Sequence, residues 1–225
     1  DAATSRLKPD NLSYAQAAAT TSAYLTAYVS LVRRGYLQKD EWLLVHGAAG
    51  GVGLAAVDLA HHLGAKVIAV ASSDEKLAKI KAHVPVEAVL NSQNGFREQV
   101  KEITGGKGAD VIYDPVGGDQ FKAALRACNP EARILPLGFA SGEVPQIPAN
   151  ILLVKNLTVI GYYWGGYSKI KPAVLTDSFA QLIAWYQDGK LTPHISHTLP
   201  LAHCNEGLEL LRTRKATGKV IIEIG

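Results

Sequence analysis

The run His46-Gly47-Ala48-Ala49-Gly50-Gly51-Val52-Gly53 gathers small residues between an apolar stretch, Trp42 to His46, and a helix-periodic one in which Leu54, Val57, Ala60 and Leu63 share a face. Read as Ala48-x-Gly50-x-x-Gly53, it is a close variant of the glycine fingerprint that holds dinucleotides. Residues without side-chain bulk let a pyrophosphate approach the backbone. A helix starting at about Gly51 points the unpaired N–H groups and partial positive charge of its first turn at the phosphates. Gly50, Gly51, Val52 and Gly53 are therefore the expected pyrophosphate contacts, with Gly53 letting the helix sit close to the strand. The alternative is a tight turn without a ligand.

The end of the next apolar run, Lys66-Val67-Ile68-Ala69-Val70, bears on which nucleotide is held. NAD sites place Asp or Glu at that strand end, where the carboxylate accepts from the ribose hydroxyls. Here the strand runs into Ala71-Ser72-Ser73, and Asp74 comes late enough to serve the helix start instead. Ser72 and Ser73 can donate to a 2′-phosphate and Lys76 can add positive charge, so NADPH is expected over NADH. The plainer reading has Ser72 capping the following helix, with Glu75 three residues on, and Lys76 as a solvated side chain.

These residues must be positioned by elements that the patterning supplies. Helices are expected at Asp74–Lys81, Phe96–Ile103 and Gln120–Ala127, and strands at Ala88–Leu90, Asp110–Tyr113, Arg133–Leu135 and Leu157–Ile160. Apolar strands alternating with helices give an α/β fold, a Rossmann-type doubly wound parallel six-stranded sheet of order 3-2-1-4-5-6. A flavodoxin-like sheet is the alternative, though it usually stops at five strands. Residues 1–34 read as a linker and junction helix, 35–190 as the dinucleotide-binding domain, and 191–225 as a C-terminal segment. That last segment carries a long helix before it (Ala173–Gln187), an extended stretch at His194–Leu199, a helix at Asn205–Leu211 and a final strand at Lys219–Ile224, none of which extends the parallel alternation.

Composition narrows the function classes. With 48% hydrophobic and 19% charged residues over 225, the chain is globular, and a net charge of +3 excludes a strongly basic nucleic-acid binder on composition alone. Asn11 to Val32 carries no charge and precedes Arg33 and Arg34, but its eight polar residues, among them Thr20, Thr21 and Ser22, are too many for a hydrocarbon core. Leu25, Tyr28, Val29 and Val32 recur instead as on a half-buried helix, so no membrane segment is expected. Two cysteines, Cys128 and Cys204, supply neither a disulfide framework nor a zinc site, which points to a cytoplasmic protein without metal. There is no methionine and position 1 is Asp1, so the sequence is expected to be a part or processed form of a longer product.

The run Val45 to Gly53 resembles the zinc-independent quinone oxidoreductases of the medium-chain dehydrogenase/reductase superfamily. So do Val111-Ile112-Tyr113-Asp114-Pro115-Val116-Gly117-Gly118, Leu137-Gly138-Phe139 and Ala216-Thr217-Gly218-Lys219-Val220-Ile221. The resemblance implies NADPH-dependent reduction of a quinone or enone, a small-molecule substrate, and a GroES-like N-terminal domain of about a hundred residues, mostly missing from this sequence, to which the terminal segments would belong. By the same resemblance Ser72 and Lys76 match 2′-phosphate contacts and Thr26 a threonine near the nicotinamide. Val116 and Phe139 would line the nicotinamide pocket, and Lys219 would reach the pyrophosphate. No catalytic acid is assigned. Tyr162, Tyr163 and Trp164 would flank either the substrate or a homodimer formed through the edge strand 157–161.

Two other function classes compete. Tyr167-x-x-x-Lys171 and Gly47-x-x-x-Gly51-x-Gly53 fit short-chain dehydrogenases, whose lysine lowers the pKa of a catalytic tyrosine. Gly165, Gly166 and Pro172 suggest a loop around that pair, however, and Val154 stands where that family has serine. A non-catalytic nucleotide sensor would use the same glycine turn. His46 is expected to pack beneath that turn, and His194, His197 and His203 lack a paired base or nucleophile.

Overall fold

The computed structural model describes residues 7–224. Ser13 opens α1 (Tyr14–Tyr28) with a capping box, its hydroxyl accepting from the Gln16 N–H (3.1 Å) while the Gln16 side chain accepts from the Ser13 N–H (2.9 Å). The helix widens into a π-helical segment, Val29–Arg34. Leu25 and Val29 are buried, as their spacing predicts. No helix among the described residues is long and apolar enough to cross a membrane.

Strands β1 (Trp42–Val45), β2 (Lys66–Ala71), β3 (Ala88–Asn91), β4 (Ala109–Asp114), β5 (Cys128–Pro136) and β6 (Thr158–Val159) form one sheet of order β3-β2-β1-β4-β5-β6. Every pairing in it is parallel, with Leu43 opposite Val67 and Val111 in the centre. This is the doubly wound order expected, and it reverses direction between β1 and β4. The crossovers are α2 (Gly51–His62), α3 (Asp74–His83), α4 (Arg97–Ile103), α5 (Gly118–Ala127) and α6 (Ala149–Lys155). Period-two alternation along the strands fills two cores. Leu43, Val45, Val67, Ala69, Val111 and Tyr113 face α1, α2 and α3, while Leu44, Ile68, Val70 and Ile112 face α4 and α5.

Several expectations need correction. The cap of α3 is Ser73, not Ser72: Ser73 is extended and accepts from the Lys76 N–H (3.4 Å), while Glu75 pairs with Lys79 (2.8 Å). Strand β5 begins at Cys128, five residues before Arg133, and carries a register shift opposite Ala109/Val111 with Glu131 at φ 63°. Strand β6 is only two residues long. Helix α6 was not anticipated; it stops at Asn156 in the left-handed region. Where a loop was expected, α7 (Tyr167–Ile170) makes a single turn before α8 (Pro172–Gln187).

The C-terminal elements do not join the main sheet. They nevertheless keep a parallel pairing: β7 (Ile195–Pro200) and β8 (Lys219–Glu223) form a two-stranded sheet, with α9 (Cys204–Arg212) in the crossover. One anchor fixes it to the helices. Asp58 on α2 accepts from the Tyr24 hydroxyl (2.6 Å) and from the Thr192 N–H (3.0 Å), just before β7.

Candidate functional site

Open parallel sheets leave a crevice outside the carboxyl ends of their strands where the order reverses. The glycine turn lies there. Gly47 leaves β1 at φ 56°, Ala48 N–H donates to the Val70 carbonyl (2.9 Å), and Gly50 N–H closes back on the Gly47 carbonyl (2.9 Å). Gly50 is the N-cap of α2 without a side-chain cap, and Leu54 N–H takes its carbonyl at 2.8 Å. The first-turn N–H groups of Gly51, Val52 and Gly53 thus have no intrahelical acceptor and can serve an anion. A Cβ on Gly53 would lie 2.8 Å from the Gly47 carbonyl carbon and 2.9 Å from Ala48 Cα, so no larger residue fits beneath the turn.

The neighbour of Gly51 is the chain itself: a Cβ there would meet Lys219 Cδ at 2.8 Å and the Gly218 carbonyl oxygen at 3.0 Å. Gly218 N–H donates to the Ala49 carbonyl (2.8 Å). The start of β8 therefore lies on the glycine turn and brings Lys219 to it.

At the end of β2, Ser72 is exposed and free of capping duty, and its hydroxyl is 3.5 Å from Lys76 Nζ. Burial, and then the nearby charge of Arg214, lower the Lys76 ammonium below its ordinary pKa. Asp74, two residues after Ser72, accepts from Asn91 Nδ2 (2.8 Å) at the end of β3. The strand end thus presents a hydroxyl and two cations, with one oxygen of Asp74 turned to Asn91. Arg214 escaped the sequence reading. It stands at φ 57° and donates to the Ala140 carbonyl (3.1 Å), and nothing in Thr213-Arg214-Lys215 marks it out from other surface cations.

Val116 and Phe139 stand on two adjoining loops. Val116 Cγ2 would touch a Cβ on Gly47 at 3.1 Å, and Phe139 Cδ1 one on Gly117 at 3.1 Å. The loop after β5 is stitched to the loop after β4 by Ala140 N–H to Pro115 O (3.1 Å) and Ser141 N–H to Val116 O (2.9 Å). Beneath both lies a buried pair that sequence reading also missed, His46 Nδ1 to Asp114 Oδ1 at 3.1 Å. Its one sequence signal was a polar residue ending each of two apolar strands. Thr26 is half-buried on the last turn of α1, its carbonyl taken by the Ser30 hydroxyl (2.6 Å); no hydrogen bond ties it to the crevice residues. A cavity of about 390 Å³ opens beyond β3 and β4, between Ser92–Gln99 and Asp119–Ala123, with Gln120 Oε1 buried and unpartnered beside it.

Residues 51–185 match the zinc-binding dehydrogenase family. The chain belongs to that family. It falls among the quinone oxidoreductase-like members of the medium-chain dehydrogenase/reductase superfamily. It is 45% identical over 216 residues to a quinone oxidoreductase-like protein 2 homolog of Nematostella vectensis, covering 95% of this chain and 59% of that one. The quinone oxidoreductase of Escherichia coli, solved with NADPH, superposes with TM-score 0.87 at 31% identity, over 97% of this chain and 68% of that one. A mycobacterial protein, also solved with NADPH, gives TM-score 0.88 at 28% identity, over 96% and 66%. The chain spans about three fifths of the length of the curated relatives it matches.

The family name implies zinc, and the residues described do not fit it. No three His, Cys, Asp or Glu side chains come together among them. Cys128 is buried, its thiol raised by burial and donating to the Leu125 carbonyl (3.2 Å). The short-chain pair is not assembled either. Helix α7 ends at Ile170, and Lys171 lies outside it, joined to Tyr167 by its backbone N–H (3.0 Å). Membership of the medium-chain superfamily removes that reading.

Proposed function

We propose that this chain is the NADPH-binding part, residues 35–190, of a zinc-independent reductase whose substrate is a quinone or an enone. The observation that carries the choice of NADPH is the end of β2: Ser72, Lys76 and Arg214 together, with Asp74 engaged by Asn91. A 2′-phosphate gains charge-assisted bonds there, while the one acid beside Ser73, Asp74, turns an oxygen to Asn91.

The other assignments follow from the crevice. Gly50, Gly51, Val52 and Gly53 take the pyrophosphate on backbone N–H groups, and Lys219 offsets its charge. The cavity beyond β3 and β4 suits the adenosine end. Val116 and Phe139 flank the nicotinamide, with Thr26 contributing from α1. Bound NADPH supplies the hydride, and the residues of this chain hold, orient and shield it. Residues 1–34 and 191–225 join the rest of such an enzyme. The cysteines are free, in keeping with a cytoplasmic protein, and strand 157–161 offers an edge for a homodimer, which light scattering across a concentration series would detect.

Titration with NADPH and NADH, followed by nicotinamide fluorescence, tests the reading. The parent chain should prefer NADPH. Lys76→Ala should weaken NADPH about tenfold and leave NADH within about twofold, as for one lost charge-assisted bond. Equal affinities for the two cofactors in the parent would overturn the assignment.

A further inference from the structure

Two polar side chains sit in the driest part of the crevice floor. The side chains of His46 and Asp114 are 0% and 1% exposed, at the carboxyl ends of the neighbouring strands β1 and β4. Burial without full partnership is costly, so a polar pair placed there needs an explanation. The residues just before them, Val45 and Tyr113, are fully buried as well, so neither strand end turns out to water.

Their bonds point to a purpose. Asp114 Oδ1 accepts from the Val116 N–H (2.9 Å) and the Gly117 N–H (3.0 Å), as well as from His46 Nδ1 (3.1 Å). One carboxylate oxygen thus shapes the Pro115-Val116-Gly117 turn, and the imidazole fixes that carboxylate. The imidazole is itself held by the Phe96 ring, centroids 5.1 Å apart, and its backbone N–H donates to the Tyr113 carbonyl (3.0 Å). Burial pushes the Asp114 carboxyl up, but the bonds from His46, Gly117 and Val116 outweigh it and hold the group below its ordinary pKa. The carboxylate is therefore kept as an acceptor.

We infer that His46 is a positioning residue: through Asp114 it holds the Val116 turn against the glycine turn, in the shape required by the nicotinamide ring. This rests on the reading of the crevice as an NADPH site. The glycine turn does not depend on the imidazole in the same way, because backbone bonds from Ala48, Gly50 and Leu54 close it. The effect of losing the ring should therefore fall on the nicotinamide half of the cofactor and spare the phosphoadenosine half.

The experiment compares His46→Leu and His46→Asn in the full chain. Asparagine returns an N–H donor close to the Nδ1 position; leucine returns only volume. Two ligands are titrated, NADPH and adenosine 2′,5′-bisphosphate, and amide hydrogen exchange at Val116 and Gly117 is followed without ligand. His46→Leu should weaken NADPH about tenfold and the bisphosphate less than about twofold, with His46→Asn recovering most of the loss. Exchange at both amides should accelerate in the leucine variant and stay slow in the asparagine one. Equal weakening of both ligands, no rescue by asparagine, or unchanged exchange at both amides would each overturn the inference. If the parent binds neither ligand, it is the NADPH reading that falls, and the exchange data still decide whether His46 holds the turn.

Discussion

Gly53→Ala probes the packing on which the whole site depends. A methyl group at that position would stand 2.8 Å from the Gly47 carbonyl carbon and 2.9 Å from Ala48 Cα. Both are backbone atoms, held by the Gly50 N–H bond to Gly47 and the Ala48 N–H bond to Val70. Neither can rotate away, so either α2 lifts from the turn or the turn opens. Overpacking of this kind costs about 1–3 kcal/mol, and a fixed backbone puts it at the upper end. Alanine's better helix propensity returns about 1 kcal/mol. The net loss is about 2 kcal/mol, or about 4–8 °C in Tm for a chain of this size. Differential scanning calorimetry measures that loss, and NADPH titration should show binding weakened with it, because the N–H groups of the first turn move. Two controls set the scale. Gly51→Ala meets the flexible Lys219 Cδ at 2.8 Å and only one close backbone atom, the Gly218 carbonyl oxygen at 3.0 Å, and should cost less; Gly161→Ala has nothing within 4 Å and should be silent. A Gly53→Ala protein with Tm within about 1 °C of the parent and intact NADPH binding would refute the packing argument.

Other perturbations test neighbouring claims. Arg214→Ala should weaken NADPH about threefold and leave NADH unchanged, less than the Lys76 effect because Arg214 is exposed and spends one N–H on Ala140; titration decides. Ser73→Ala removes the α3 cap and should cost about 1 kcal/mol in denaturant unfolding, whereas Ser72→Ala should cost almost none. Asp58 gives a pH dependence of definite sign. Burial raises its carboxyl above the ordinary value despite the bonds from Tyr24 and Thr192 and the nearby His83 and His61. The folded state therefore keeps that proton to higher pH than the unfolded state. This contribution to stability declines as pH rises from the ordinary aspartate value through the raised one, and Asp58→Asn should abolish the decline.

How much of this was legible in the sequence depends on whether the deciding contact is local. Strands β1, β2 and β4 announced themselves because each is an apolar run bounded by glycines or a cap. The order of the sheet followed from the alternation of strand and helix. Strand β5 is longer than its apolar run at Arg133–Leu135, because Pro130 and the left-handed Glu131 sit in an irregular stretch that still belongs to the strand paired with β4. Ile151-Leu152-Leu153-Val154 has no clear period, and in α6 its Ile151 and Leu152 pack against the core of Leu44, Ile68, Val70 and Ile112. Two adjacent serines could not be told apart as caps until their backbone angles were seen. The His46–Asp114 bond joins residues 68 apart; the expected sheet order makes their strands neighbours, but no pattern in either segment reports the register that brings the two side chains together.

The position of Lys219 ties the glycine turn, early in the sheet, to the far later strand β8. Gly218 at φ 63° bridges Gly50, and its N–H donates to Ala49, so β8 begins as an extension of the glycine turn. A side chain on Gly218 would run into the His194 carbonyl, because β7 begins on its other side. The two-stranded sheet is thus registered to the glycine turn through one residue that tolerates no Cβ. A phosphate drawn to the N–H groups of Gly51 and Val52 meets the Lys219 side chain only while that register holds. If the turn takes the pyrophosphate as proposed, binding there and docking of β7–β8 should stabilise one another, so that loosening either weakens the other.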